Sequence, residues 1–186
     1  MSFAYPGYVS DGVTVTLENL NFSDSTFCRD TQGTGSLIFT NCTGSLSIGS
    51  GDISNITMES SQLSGTIFAS NLLTMKESTF SGKFNTKNFT ANGDCTISCK
   101  KNAPSLISGT VTAETPVKLV PFENAKAGDK LLEVPNSTAA NSFALSDTNG
   151  AYGVVFSEQY NGKYLRLAQR ITSENGKIAV ANEPKN

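Results

Sequence analysis

Leu73-Thr74-Met75-Lys76-Glu77-Ser78-Thr79-Phe80-Ser81-Gly82 is the stretch that decides the fold of this chain. It alternates apolar, polar, apolar, crosses a polar turn, and resumes with an aromatic residue and Ser-Gly. Near-copies flank it: Leu20-Asn21-Phe22 with Phe27, Leu37-Ile38-Phe39, Ile56-Thr57-Met58 with Leu63-Ser64-Gly65, and Phe89-Thr90-Ala91. The leading residues stand at 20, 37, 56, 73 and 89, in steps of 17, 19, 17 and 16. Alternation places the first and third residues of each triplet on one side of a strand. A near-constant period means one such strand per repeat, stacked on the next. The expected fold is all-β: a single-stranded parallel β-helix, a β-solenoid of about 17 residues per coil.

Seventeen extended residues measure roughly 56 Å, enough for three short strands and their corners. A second strand recurs on the same step, Ile67-Phe68 against Phe84. The longest step contains Gly44-Ser45 and Gly49-Ser50-Gly51-Asp52, so its surplus belongs in a glycine-rich corner. Inward sites are Leu20, Leu37, Ile56, Leu73 and Phe89 and, two places on, Phe22, Phe39, Met58, Met75 and Ala91. Each large side chain among them contributes about 1.5–3 kcal/mol on burial. The site before the leading residue reads Asn19, Ser36, Asn55, Leu72, Asn88. Asn stacked over Asn predicts a corner ladder, which Leu72 interrupts. Outward sites read Asn21, Ile38, Thr57, Thr74, Thr90 and then Ser23, Thr40, Glu59, Lys76, Asn92. Thr suits an exposed pleat, and Glu59 and Lys76 become oppositely charged neighbours.

Residues 1–12, with Phe3, Tyr5 and Tyr8 around Pro6-Gly7, form an N-terminal cap or tail over the open end of the stack. Val13-Thr14-Val15-Thr16-Leu17 starts the parallel β-helix, which occupies residues 13–112. Beyond it, residues 113–186 read as a C-terminal β-strand cap or extension of short strands between Gly, Asn and Asp turns. Pro116 and Pro121 bound Val117–Val120, which suits an edge strand. Asn161-Gly162 is the strongest hairpin signal. Thr138–Asn141 is at most one helical turn.

The chain of 186 residues carries 16% charged residues, no Trp, no His and 16 Gly. Fourteen basic against 16 acidic residues supply no basic face for nucleic acid. No apolar run reaches the roughly 18 residues of a membrane span. The N-terminus lacks the charged and apolar regions of a signal peptide, which leaves a protein that stays inside the cell or a piece of a longer exported chain. Ser-, Thr-, Asn- and Gly-rich stacked strands, a habit of secreted surface proteins, favour the piece, placed at the cell surface or outside the cell. Cys28, Cys42, Cys95 and Cys99 allow three pairings. If Cys95–Cys99 is a strand, its two cysteines lie about 13 Å apart and cannot bridge each other. Buried thiols filling core positions are the expectation. Without His or Cys-x-x-Cys no zinc site is expected, and no cofactor is implied.

The coil length, Asn corners and Leu-x-Phe triplets of residues 13–112 resemble the right-handed parallel β-helices of bacterial surface proteins and autotransporter passengers. The Gly-Gly-Ala-Ile and Phe-x-x-Asn repeats of one such family do not occur here. The resemblance implies a non-catalytic structural or adhesive module of an extracellular bacterial surface protein, with a surface glycan or a host or neighbouring protein as partner. The alternative is a carbohydrate-active β-helix enzyme, a polysaccharide lyase or glycosidase, which would need two carboxyls about 5–10 Å apart. Asp24, Glu59, Glu77 and Asp94 do not keep one register, so they read as solvated turn residues. Without His there is no Ser-His-Asp arrangement, so no catalytic residue is assigned. An ice-binding face would need Thr-x-Thr columns, and Thr57/Glu59, Thr74/Lys76 and Thr90/Asn92 do not supply them. Gly33-Thr34-Gly35-Ser36 and Asp147-Thr148-Asn149-Gly150 read as turns. The sequons at Asn21, Asn41, Asn55, Asn88 and Asn136 are expected by chance in so Asn-, Ser- and Thr-rich a chain. For binding, Leu165 and Leu167 share one face of a strand, leaving Tyr164 and Arg166 on the other with Tyr160 across the hairpin. These are types enriched at recognition surfaces, so Tyr160, Tyr164 and Arg166 are the candidate ligand-binding residues.

Overall fold

The computed structural model describes residues 4–5, 9–27, 35–49, 53–146, 152–159, 162–169, 171–174 and 177–180. In chain order the strands begin with β1 (Ala4–Tyr5), β2 (Thr14–Glu18), β3 (Asn21–Phe27), β4 (Gly35–Thr40), β5 (Thr43–Ile48) and β6 (Ile53–Glu59). Two long strands follow, β7 (Gln62–Lys76) and β8 (Thr79–Asn92). Then come β9 (Thr96–Ser98), β10 (Ser105–Ile107), β11 (Val111–Ala113), β12 (Val117–Val120) and β13 (Lys130–Glu133). One helical turn, α1 (Ser137–Ala140), precedes β14 (Phe143–Leu145), β15 (Tyr152–Gln159), β16 (Gly162–Gln169), β17 (Ile171–Glu174) and β18 (Lys177–Val180). No helix among the described residues is long and apolar enough to cross a membrane.

All pairings within β1–β14 are parallel, each strand lying one coil from its partner, so the chain is a β-solenoid of about five turns. The first face stacks β2, β4, β6, the ends of β7 and β8, and β11 in the register Val15–Leu37–Ile56–Leu73–Phe89–Val111. The second face carries Leu63–Phe80–Ile97–Leu119–Leu145. The third runs through the middles of β7 and β8 to β10 and β13, with Ile67 beneath Phe84 and Ser105 beneath Leu132. One coil, β8, supplies an aromatic ring from every face. Phe84 lies 6.0 Å from Phe80 and 5.8 Å from Phe89, centroid to centroid, and all three are buried. Rings meeting edge-on and stacked fill the triangular interior at the density a core requires.

Four of the five expected leading residues stand in one column; Leu20 does not. Val15 takes its place, and Leu20-Asn21-Phe22 instead opens the second face, with Asn21 opposite Thr43 and Phe22 opposite Gly44. The first coil is 22 residues long from Val15 to Leu37, so the spacing from Leu20 is a coincidence of composition. From Val15 to Val111 a coil averages about 19 residues, longer than the middle repeats. Val15 is 36% exposed where Leu37 is 2%, as the first layer of a stack must be.

Side-chain ladders seal the corners. Asn55 Nδ2 donates to Ser36 Oγ (3.1 Å), Asn71 Nδ2 to Asn55 Oδ1 (2.9 Å), Asn88 Nδ2 to Asn71 Oδ1 (3.3 Å), and Thr110 N–H to Asn88 Oδ1 (3.1 Å). Leu72, which aligns with Asn55 and Asn88, therefore does not interrupt the ladder. A register shift between Ala69 and Leu72 brings Asn71 into the line instead. A column of left-handed residues, Asn19, Asn41, Ser60, Glu77 and Gly93, turns the chain off the first face. Its first members are Asn, the non-glycine residue that tolerates this region best. Where the second face becomes the third, Gly65 and Gly82 hold φ of +119° and +141°. A Cβ on either would lie 2.0–2.1 Å from the carbonyl oxygen of the coil beneath, so only glycine lets the coils close there.

Past Thr112 the stack continues with less regular spacing. β12 pairs with both β9 and β14, so it is a central strand rather than the expected edge. Pro116 and Pro121 lie just outside it and remove no ladder donor. α1 comes where the next first-face strand would fall. Asn136 caps it, accepting from Ala139 N–H (2.8 Å), and Ala139 and Ala140 are buried. The Phe143 ring packs 6.1 Å from Phe89. The expected aromatic cover of Phe3, Tyr5 and Tyr8 lies outside the side chains described; the backbone of β1 adds to β3 in parallel.

Candidate functional site

β16 runs antiparallel to β13, and β15 antiparallel to β16, so the hairpin prolongs the third face. Gln159 pairs with Gly162, so the two strands form the expected hairpin; Asn161 itself lies outside the described residues. Leu165 and Leu167 are buried and Tyr164 and Arg166 face out, as the alternation requires. Tyr160 lies outside the described residues, and the residue opposite Tyr164 in β15 is Ser157. Lys130 Nζ sits 4.2 Å from the Tyr164 ring centroid and Arg166 Cζ 5.5 Å. Burial, then the charge and hydrogen bond of Glu133, hold the Tyr164 phenol above its ordinary range, with Arg166 opposing. Arg166 Nε donates to Ser157 Oγ (2.7 Å) and Nη1 to the Gly128 carbonyl (2.8 Å). The cluster thus offers a phenol hydrogen-bonded to Glu133, with Lys130 and Arg166 beside its ring.

The carboxylates weighed for hydrolysis stay apart. Glu59 accepts from Lys76 at 2.5 Å, bearing out the expected pair, and Asp94 pairs with Lys118 at 3.2 Å. Glu77 forms the left-handed corner, and Asp24 lies within a register shift of β3. Among the described residues no group of three or more His, Cys, Asp or Glu could hold a metal.

Cys42, Cys95 and Cys99 are free and buried; Cys28 lies outside the described residues. Cys42 belongs to a buried column with Ser61 and Ser78, in which each side chain binds back to the corner. Ser61 Oγ donates to the carbonyls of Glu59 (2.8 Å) and Phe39 (3.1 Å) and accepts from Cys42 N–H (3.0 Å). Ser78 Oγ donates to the Lys76 carbonyl (2.7 Å) and accepts from Ser61 N–H (3.1 Å). Cys42 Sγ takes the same position toward the Thr40 carbonyl (3.4 Å). The Cys42 thiol thus stands where the neighbouring coils have a hydroxyl. Burial pushes the Cys99 thiol up to about 12, so it is not a nucleophile at neutral pH.

A second surface was not singled out by sequence reasoning. Phe68, Asn85 and Leu106 stand side by side across β7, β8 and β10 and point outward from the third face. With Ser70, Lys87 and Ser108 they line an open groove of about 470 Å³. Asn85 Oδ1 is buried there and accepts no hydrogen bond from the described residues. Glu133 pairs beside Leu106, and Tyr164 beside Glu133, so the groove and the hairpin cluster lie along one outward row. The signal was present: alternation from Ile67 turns Phe68 to solvent, and an outward Phe in a Thr- and Ser-rich surface is conspicuous. Compared with protein-family models, curated proteins and solved structures, the chain matches none, so its β-solenoid fold rests on the register of its own strands.

Proposed function

We propose that this chain is a non-catalytic structural and adhesive module of an extracellular bacterial surface protein, part of a longer exported chain, that presents flat β faces to a glycan or protein partner. The observation that carries the reading is the continuity of the ladders. From Ser36 to Thr110 one line of amide and hydroxyl bonds joins successive coils, and the Cys42–Ser61–Ser78 column links three of them inside the corner. Such bonding gives a stiff rod whose outward side chains are held in fixed rows, which suits repeated weak contacts. Tyr164 and Arg166, with Tyr160, form the recognition residues of the hairpin end, where aromatic and guanidinium groups concentrate binding energy.

Incubation with a polysaccharide panel tests the absence of catalysis: new reducing or unsaturated ends would overturn it in favour of the hydrolase or lyase alternative. Binding to a glycan array and to host-cell matrix proteins tests adhesion. Loss of that binding in a Tyr164→Ala, Arg166→Ala double variant places the contact at the hairpin, and unchanged binding removes it from there. Labelling of intact cells with an antibody to this chain, and its release by surface proteolysis, tests the location. Signal only after lysis would exclude it.

A further inference from the structure

We propose that the groove centred on Asn85 binds an acidic oligosaccharide, a ligand assignment that rests on the adhesive reading above but uses a different part of the third face. Its floor is the buried Asn85 Oδ1, an acceptor without a donor. Such an atom is destabilising in the free protein, and since it is shielded as the side chain stands, a turn of the Asn85 amide toward the groove would let a ligand hydroxyl satisfy it. Half-buried Phe68 and Leu106 flank that acceptor on the neighbouring strands. Apolar walls around one polar point suit the carbon–hydrogen face of a sugar ring. Ser70 and Ser108 add hydroxyls at one end.

The charge around the groove selects the kind of sugar. Lys83 and Lys87 lie two residues to either side of Asn85 on the same outward side of β8. Neither makes an ion pair among the described residues, and no carboxylate lines the groove. The chain has a net charge of -2, so this is a local positive patch against the overall sign. Their backbone positions are about 13 Å apart, a separation that one ring does not span but a chain with carboxylates on separated rings does. A volume of about 470 Å³ lies within the usual range for small-ligand sites, and the groove is open along the strands. An extended acidic peptide would also answer the lysines. Peptides, however, dock on sheets by adding to a free edge, and β8 is hydrogen-bonded on both sides here.

The test is calorimetric titration of the whole chain at low salt with hexamers of hyaluronan, mannuronate and polysialic acid. Carboxyl-reduced hyaluronan and poly-glutamate serve as comparators. The expected result is binding of at least one carboxylated hexamer, no binding of the reduced form, and weakening of affinity with added salt. Lys83→Gln with Lys87→Gln should weaken binding by about tenfold or more and flatten the salt dependence. Asn85→Leu should weaken it by about tenfold while raising Tm, because it removes the unsatisfied acceptor. Equal binding of poly-glutamate or of the reduced sugar overturns the proposal, as does binding that Asn85→Leu and the lysine variants do not touch. If no hexamer binds, the groove assignment fails, while the adhesive reading stands provided the chain still binds a neutral glycan or a protein. Cleavage of a hexamer would sink the non-catalytic reading and leave the groove.

Discussion

The middle coils and the C-terminal hairpin use the same short β-strands yet treat exposed backbone in opposite ways. In β6, β7 and β8 every strand is paired above and below, three faces share one dry interior, and the corners carry continuous ladders. In β15 and β16 the pairing turns antiparallel, and β15 ends the sheet with Val155 48% exposed. Stacking parallel coils buries each residue between like residues one turn away, so stability accumulates layer by layer. Adding a hairpin buries only one face and leaves an edge. The difference teaches that the all-β composition is shared, but resistance to change is concentrated where coils lie on both sides.

Five measurements test that contrast. Phe84→Ala, which removes the ring between Phe80 and Phe89, should destabilise by about 3–5 kcal/mol in denaturant unfolding. A loss under about 1 kcal/mol would mean the interior is not close-packed. Alkaline titration probes the seal at the end of the regular stack. The Cys99 thiol is raised from 9.0 to about 12 by burial, so the folded state keeps its proton after the unfolded state has lost it. Its contribution is complete below pH 9 and is lost as pH rises to about 12, reaching ~4 kcal/mol; Tm should fall over that window and less so in Cys99→Ala. Flat Tm above pH 9 would show that the thiol is wet.

Ser61→Ala should cost about 1–3 kcal/mol, because Cys42 N–H loses a buried acceptor. Ser61→Cys should recover most of it, since Cys42 stands in the same column. Asn71→Ala, breaking the ladder where the register shifts, should cost about 1 kcal/mol, whereas Leu72→Ala should leave the ladder intact as read by amide exchange at Thr110. Smallest of all, Val155→Lys on the open edge should change stability by no more than about 0.5 kcal/mol and reduce self-association in sedimentation. A large loss there would show that the hairpin is as deeply packed as the coils.

Much of the stack is legible from residue order. Leu37, Ile56, Leu73 and Phe89 share a column, and Glu59 meets Lys76, because alternation and a repeated spacing suffice to place them. The surplus of the long coil also falls where expected. Ser47 and Thr66 are 19 residues apart in register but Asn55 and Leu72 are 17, so the extra residues lie between, in the stretch containing Gly49 and Asp52. The first coil misleads because Leu20-Asn21-Phe22 copies the triplet while belonging to another face. The groove is harder still. Phe68, Asn85 and Leu106 come from three coils of unequal length, and their adjacency exists only across strands.

By itself, the order of residues determined that strands recur, which side chains turn inward and that the hairpin exposes Tyr164 and Arg166, because a two-residue alternation is a property of the local backbone. Tertiary structure alone decided that Val15 rather than Leu20 begins the column, that Asn71 completes the ladder past Leu72, and that an unsatisfied Asn85 sits between Phe68 and Leu106. Those outcomes depend on register between coils about 19 residues apart, which is set by every corner and bulge in between and by no single segment.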